Sequence, residues 1–297
     1  MLAVQAQDAW VSALDAAALQ AVTDLMRQIG GEERLFLNWA LRFFVEIDLL
    51  KLGVPALAAF WVWARPQGFA ADPVRTLRQI GGVMLAMAIG RGAQIVLPER
   101  PRPMQSMPDF PFPGLGHLPW IADGSSMPSD HAALAFALAT VAWFGSRRLG
   151  AAAFLWAALV VCMPRLYFGY HYLSDLVGGA FIGVAAVWFA ARVPLPRQAV
   201  RLTCGWARWM DARAPGLAVV CLFLIAFECL TLFQSSRKIA NAGATVVAVA
   251  LGKPFETVGA AALPPSAAAG ERAAASATTG GDGGHAREVA SKSPATD

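Results

Sequence analysis

The chain has 297 residues, of which 57% are hydrophobic and only 15% charged. A soluble domain carries about 25% charged residues, so this composition excludes an ordinary soluble core and points to a membrane protein. The formal charge of +4 is small and spread over many loops, which argues against a nucleic-acid partner.

Residues 8–28 read as an amphipathic helix, because Trp10, Leu14, Ala18, Val22, Leu25 and Ile29 recur at steps of three and four. It is too polar to cross a bilayer, so it is expected on the membrane surface or against the bundle. Gly30 and Gly31 end it. Asp8, Asp15 and Asp24 stand where a signal peptide would be basic, so insertion is expected to rest on internal spans. A span needs about 20 mainly apolar residues. Such segments lie near 44–64, 78–98, 130–146, 149–165, 173–192 and 215–234. The first carries Glu46, Asp48 and Lys51, which must be interfacial or paired within the bundle. The predicted fold is an all-α polytopic membrane helical bundle of about six transmembrane helices with an N-terminal amphipathic helix. Its expected parts are the interfacial region 1–43, a membrane domain 44–234 with its core at 78–192, and a tail 235–297. Residues 240–252 are apolar but short and Ala-rich, at most an interfacial helix. From about 262 the Ala, Ser, Gly, Thr and Pro composition cannot bury enough apolar surface to fold, and disorder is expected.

Lys and Arg in short loops set orientation. Arg65, Arg75 and Arg78, then Arg147 and Arg148, then Arg192, Arg197, Arg201, Arg208 and Arg213 all fall on one side, expected to be cytoplasmic. The opposite side receives loop 99–129, the turn 165–172 and both termini. Loop 99–129 is rich in Pro and Gly, which resist helix and strand alike; a loop of that length is more often functional than idle. Cys162, Cys204, Cys221 and Cys229 have no metal-ligand spacing and read as small hydrophobes. No metal and no cofactor are expected.

Of the four histidines, His131 and His171 sit at the outer ends of predicted spans. Ionisable groups there are functional candidates. His171 and Asp175 are four apart and share a helical face. A carboxylate one turn away can accept from Nδ1 and leave Nε2 to attack, although a capping Asp beside an interfacial His has the same spacing. Pro128–Ser129–Asp130–His131 opens the next candidate helix. Ser129 can cap it, the free N–H groups make an anion site, and His131 is placed to donate a proton. An incidental His after a Pro/Ser helix start would look alike. Arg100, Arg102 and Arg165 can hold phosphate oxygens in bidentate fashion; singly, each also reads as a snorkelling arginine. Chance rarely sets all six on one side.

The set resembles the three-part signature of the type 2 phosphatidic acid phosphatase superfamily: Lys-x6-Arg-Pro, Pro-Ser-Gly-His and Ser-Arg-x5-His-x3-Asp. The third part here is Pro164–Arg165–x5–His171–x3–Asp175, with Pro164 for Ser. The second has Asp130 for Gly. The first fits Arg102–Pro103, but Ile95 stands where Lys is expected, with Gln94 adjacent and Arg91 a helical turn earlier. Asp130 adds negative charge at an anion site and is expected to turn to Arg100 or to a backbone amide. The resemblance covers roughly residues 44–192. Within the superfamily the Arg-Pro-Arg-Pro stretch and the PSDH variant look like bacterial undecaprenyl pyrophosphate phosphatases.

The resemblance implies a membrane lipid phosphatase that needs no metal, in the bacterial inner membrane with its site facing the periplasm. Its partners would be a lipid phosphate and the bilayer. His171 would form a phosphohistidine, Asp175 would orient it, and His131 would protonate the leaving oxygen and then activate water. Arg102, Arg165 and Arg100 would hold the phosphoryl group, helped by Ser129. The favoured substrate is undecaprenyl diphosphate. The alternatives are phosphatidic acid or phosphatidylglycerol phosphate, a lipid phosphotransferase, and an inactive lipid-binding protein. A transporter would need inverted repeats, and the sequence has no repeat.

Overall fold

A computed structural model of the chain describes residues 2–31, 35–107, 110–113 and 125–231, all within one compact unit, Met1–Lys238. The expected interfacial helix at 240–252 and the tail lie outside the described residues, as does the middle of loop 99–129 with His117 and Trp120. Among the described residues the fold is all-helical.

Helix α1 (Leu2–Gly30) ends at Gly31, whose φ of 74° suits glycine as a helix-terminating residue. Only part of the predicted stripe faces the bundle, where Ala18 and Val22 pack. Leu14, Leu25 and Ile29 are exposed, whereas Asp15, Leu19, Thr23 and Met26 are buried at steps of three and four against the bundle. Asp15 turns inward because it has an ionic partner there.

The first expected span is broken at Ile47, which is extended, into α2 (Leu35–Glu46) and α3 (Asp48–Ala64). Lys51 is buried and paired, to Asp48 at 2.6 Å and to the Val45 carbonyl at 3.0 Å. Helix α4 (Pro73–Val96) starts five residues before its expected position. Asp72 caps it by accepting from the Arg75 amide, and Pro73 occupies the first turn, where its missing N–H costs nothing. A short α5 (Pro103–Ser106) follows.

Helix α6 (Asp130–Gly145) is capped by Ser129. From Ala132 to Ala142 every residue but Phe136 is buried, so it is apolar all round, as a central helix must be. Helix α7 (Arg147–Trp156) runs through a π-helical stretch, Ala157–Cys162, into α8 (Met163–Tyr167). Helix α9 (Leu173–Arg192) matches its expected bounds. The chain continues through α10 (Arg197–Arg213) and α11 (Pro215–Leu230), the latter packed on α3.

Among the described residues, three helical stretches are long and apolar enough to cross a membrane: Pro73–Val96, Arg147–Tyr167 and Leu173–Arg192. This marks a membrane protein. Asp130–Gly145 and Gly216–Cys229 are apolar but shorter.

Helices α6 and α9 run parallel and α4 antiparallel to both. At one end the Ser129 amide donates to the Asp175 carbonyl (3.1 Å) and Gln94 reaches the Pro128 carbonyl (2.7 Å). At the other, Arg75 at the start of α4 donates to the Phe144 carbonyl at the end of α6 (2.6 Å). The close approach of α6 and α9 rests on small residues. Gly179 and Gly183 face Ala132, Ala133 and Ala137, the kind of contact that drives helix association where no hydrophobic effect operates between helices. Two helix N-termini are thereby held side by side.

Candidate active site

The two N-termini open onto one cluster. On α9, His171 lies just before the first turn and is 5% exposed; Asp175, in that turn, is fully buried. Asp175 Oδ2 accepts from the Tyr172 amide at 2.8 Å, so the carboxylate also closes the helix start. The His171 Nδ1 lies 2.8 Å from the Ser126 carbonyl oxygen and 3.8 Å from Asp175 Oδ2. A carbonyl only accepts, so Nδ1 carries the hydrogen and Nε2 the lone pair. The expected tautomer is present, but its nearest anchor is a backbone oxygen. Burial pushes the His171 imidazole below its ordinary value; Asp175 opposes this, while Arg102 and Arg165 reinforce it.

Ser126 is held in turn by Arg100, whose carbonyl accepts from the Ser126 amide at 2.9 Å. The Arg100 guanidinium turns elsewhere. Nη1 donates to Asp175 Oδ1 (2.6 Å) and Ser174 Oγ (2.7 Å), Nη2 donates to Asp15 Oδ2 (2.6 Å), and the group stacks 4.1 Å over the Tyr172 ring. Asp15, on α1, also accepts from the Ser174 amide and hydroxyl. Arg100 therefore ties the N-terminal helix to the carboxylate beside His171.

On α6, Ser129 is fully buried and its Oγ accepts from the Ala132 amide at 3.5 Å. His131 is half-hidden. Its Nδ1 is 3.0 Å from Asp130 Oδ1, which also accepts from the His131 amide. Asp130 Oδ2 pairs with Arg91 at 2.7 Å. Asp130 thus takes a backbone amide, as expected, but Arg91 rather than Arg100. Ile95, at the motif position for Lys, is 83% exposed.

Arg165 is buried at the end of the π-helical stretch and donates to the Val161 carbonyl at 3.0 Å. Widened π turns recur at functional sites. Arg102 Nη1 donates to the Tyr170 carbonyl at 2.9 Å. The charges of Arg102 and Arg165 both reach His171, and that of Asp130 reaches both arginines. The structure thus brings the seven predicted residues to one end of the bundle. It adds three that spacing did not reveal, Ser126 through its carbonyl and Asp15 and Ser174 through side chains, and it gives Arg91 the partner Asp130.

Two histidines, each beside a carboxylate, lie with arginines gathered around them at paired helix N-termini. Residues 76–199 match the model of the PAP2 superfamily. The match spans α4 to α9 and every motif residue, and it supports a phosphatase of the PAP2 superfamily acting on phosphate esters. Asp15 and Lys51 lie outside the PAP2-matched stretch. No curated protein and no solved structure shows a significant match to the chain.

Proposed function

We propose that the protein is an integral membrane lipid phosphatase working through a phosphohistidine on His171, with undecaprenyl diphosphate as the favoured substrate. The observation that carries this is the Ser129 amide to Asp175 carbonyl bond, 3.1 Å, which ties the helix bearing His131 to the helix bearing His171 at the end where Arg102 and Arg165 gather.

The His171 Nε2 attacks phosphorus while the bond to the leaving oxygen breaks, and His131 gives that oxygen its proton. In the second step water passes a proton to His131 as its oxygen bonds to phosphorus; the P–N bond breaks, phosphate leaves and His171 is regenerated. Arg102 and Arg165 hold the equatorial oxygens, and the amides opening α6 add partial positive charge. Stabilising spread negative charge is the chief catalytic demand of phosphoryl transfer. Asp175, pinned by Arg100, balances the charge on His171. We assign Arg100 a positioning role because its guanidinium is turned to carboxylates.

The six-span reading, with α3, α6 and α11 also crossing, places the site at the periplasmic face of a bacterial inner membrane. That location suits a headgroup at the interface with its tail among the helices. The domain plan of an interfacial region 1–43, a membrane domain 44–234 and a tail 235–297 accompanies it.

The test is phosphate release in detergent from undecaprenyl diphosphate, phosphatidic acid, phosphatidylglycerol phosphate and a soluble phosphate ester. Release from at least one lipid, fastest from the diphosphate and unchanged by chelator, is expected. Transfer to an added alcohol in place of water would reassign the protein as a phosphotransferase. Silence on every lipid would leave a lipid-binding protein.

A further inference from the structure

Each histidine of the site stands beside a carboxylate that an arginine holds. His171 has Asp175 and Arg100. His131 has Asp130 and Arg91, and here the carboxylate is nearer the ring: Nδ1 to Oδ1 is 3.0 Å against 3.8 Å at His171, while Oδ2 to Nη2 is 2.7 Å. The two sets lie on different helix pairs, α9 with the loop after α4, and α6 with α4 itself. These are also the positions where the sequence departs from the superfamily pattern. Asp130 replaces Gly, and the basic residue of α4 sits at 91 rather than 95. The two departures meet in one ion pair.

We propose that Asp130 and Arg91 form a positioning relay for His131, holding its Nδ1–H tautomer so that Nε2 faces the leaving oxygen. This rests on the reading of His131 as proton donor. Three observations support it. Asp130 is the first residue of α6, and its Oδ1 bonds both the backbone amide and the ring of the next residue, so ring and helix start are locked together. Arg91 is itself fixed, since Nη1 donates to Gln94 Oε1 and Gln94 donates to the Pro128 carbonyl just before α6. Finally, the groups facing His131 are otherwise cationic. Arg165 comes from α8 and Lys51 from α3, while Arg91, His171 and Arg102 act on Asp130. Asp130 is the carboxylate in direct contact with the His131 ring, 3.0 Å from Nδ1. Neither Asp130 nor Arg91 is required to touch the substrate.

The experiment compares wild type with Asp130→Asn, Asp130→Ala and Arg91→Ala on undecaprenyl diphosphate in detergent, or on phosphatidic acid if only that is turned over. General acid catalysis contributes about 10²–10⁴-fold, of which a positioning residue carries part. Asp130→Asn, which keeps an acceptor but loses the charge, should lower kcat about 10-fold, and Asp130→Ala about 100-fold. KM should stay within about twofold, and Arg91→Ala should fall between the two. In the two Asp130 variants the basic limb of the rate profile should move to lower pH, whereas loss of the Arg91 cation should not move it that way. A KM effect with kcat preserved would make these residues substrate contacts and overturn the relay.

The second readout is independent of turnover. Histidine 15N spectra, with the His131 signal identified by its loss in His131→Gln, should show the Nδ1–H tautomer in wild type and its loss in Asp130→Ala. An unchanged tautomer and pH profile in every variant would overturn the relay while leaving the phosphatase reading intact. Inactive wild type would overturn the phosphatase reading instead, and full activity in His131→Gln would overturn the proton-donor role of His131 and the relay with it. Should an Asp130 variant fail to fold, Arg91→Lys and Arg91→Ala give the same contrast from an exposed position.

Discussion

Replacing Gly179 with Ala tests whether the geometry of the site depends on the contact between α6 and α9. A Cβ at that position collides with the Ser129 carbonyl oxygen and stands 3.0 Å from the Ala132 Cβ and 3.2 Å from the Ala133 nitrogen. Comfortable carbon contacts begin near 3.5 Å, so relief requires the helices to part by about 1 Å. The backbone atoms that would have to yield belong to the first turn of α6. That parting acts directly on the Ser129–Asp175 bond and on the separation of His131 from His171. A misplacement of about 1 Å costs roughly 10²-fold in a positioned reaction, so kcat for phosphate release should fall 10- to 100-fold. Overpacking should also cost about 1–3 kcal/mol of stability, read as a lower Tm in detergent. Gly183→Ala meets the Ala133 carbonyl one turn further on and lies 2.9 Å from the Ala137 nitrogen. It should match the stability loss with a smaller loss of rate. A Gly179→Ala variant with wild-type rate and Tm would refute the close-contact argument.

Three further outcomes follow from the site. His171 attacks as the neutral base, and burial sets it below its ordinary value of 6.5, so the acid limb of kcat/KM should lie below pH 6.5; a limb above 6.5 would contradict the burial argument. The same depression means that the unfolded chain binds the extra proton first, so stability should decline as pH falls through that region, measurable as a falling Tm. Asp15→Ala leaves Arg100 and the Ser174 amide without their buried acceptor and should cost about 1–3 kcal/mol, with loss of rate through Asp175; an unchanged Tm would show that α1 is not tied to the core. A topology reporter fused after Arg148 should report cytoplasm, and a periplasmic signal would invert the proposed orientation.

Features carried by a single helix were legible in the sequence. The bounds of α9 follow from its apolar run, and the His171–Asp175 spacing marks one face of its start. The apolar character of α6 and the PSDH start likewise predict a buried helix with a polar opening. Features that depend on how helices meet were not legible. Asp15 lies 85 residues from Arg100, and nothing local distinguishes it from Asp8 or Asp24. Its burial turns α1 partly away from the face that hydrophobic spacing suggested. Ser126 acts through its carbonyl, which every residue possesses, so no side-chain pattern could single it out. The Asp48–Lys51 pair and the Lys51 bond to the Val45 carbonyl across the break at Ile47 are invisible to averaged hydropathy. Arg91 was visible as a basic residue a turn early, but only the crossing of α4 and α6 gives it Asp130 as a partner.

The central claim is that His171 carries the phosphoryl group. Its most direct test is to add lipid diphosphate labelled with 32P at the terminal phosphate, whose phosphate leaving group needs little protonation, to a His131→Ala variant, which cannot activate water, quench, and map the label by proteolysis. Acid-labile label is expected on the peptide containing His171 and absent from the His131→Ala/His171→Ala double variant. Full turnover by His171→Ala, or label on another residue, would contradict it.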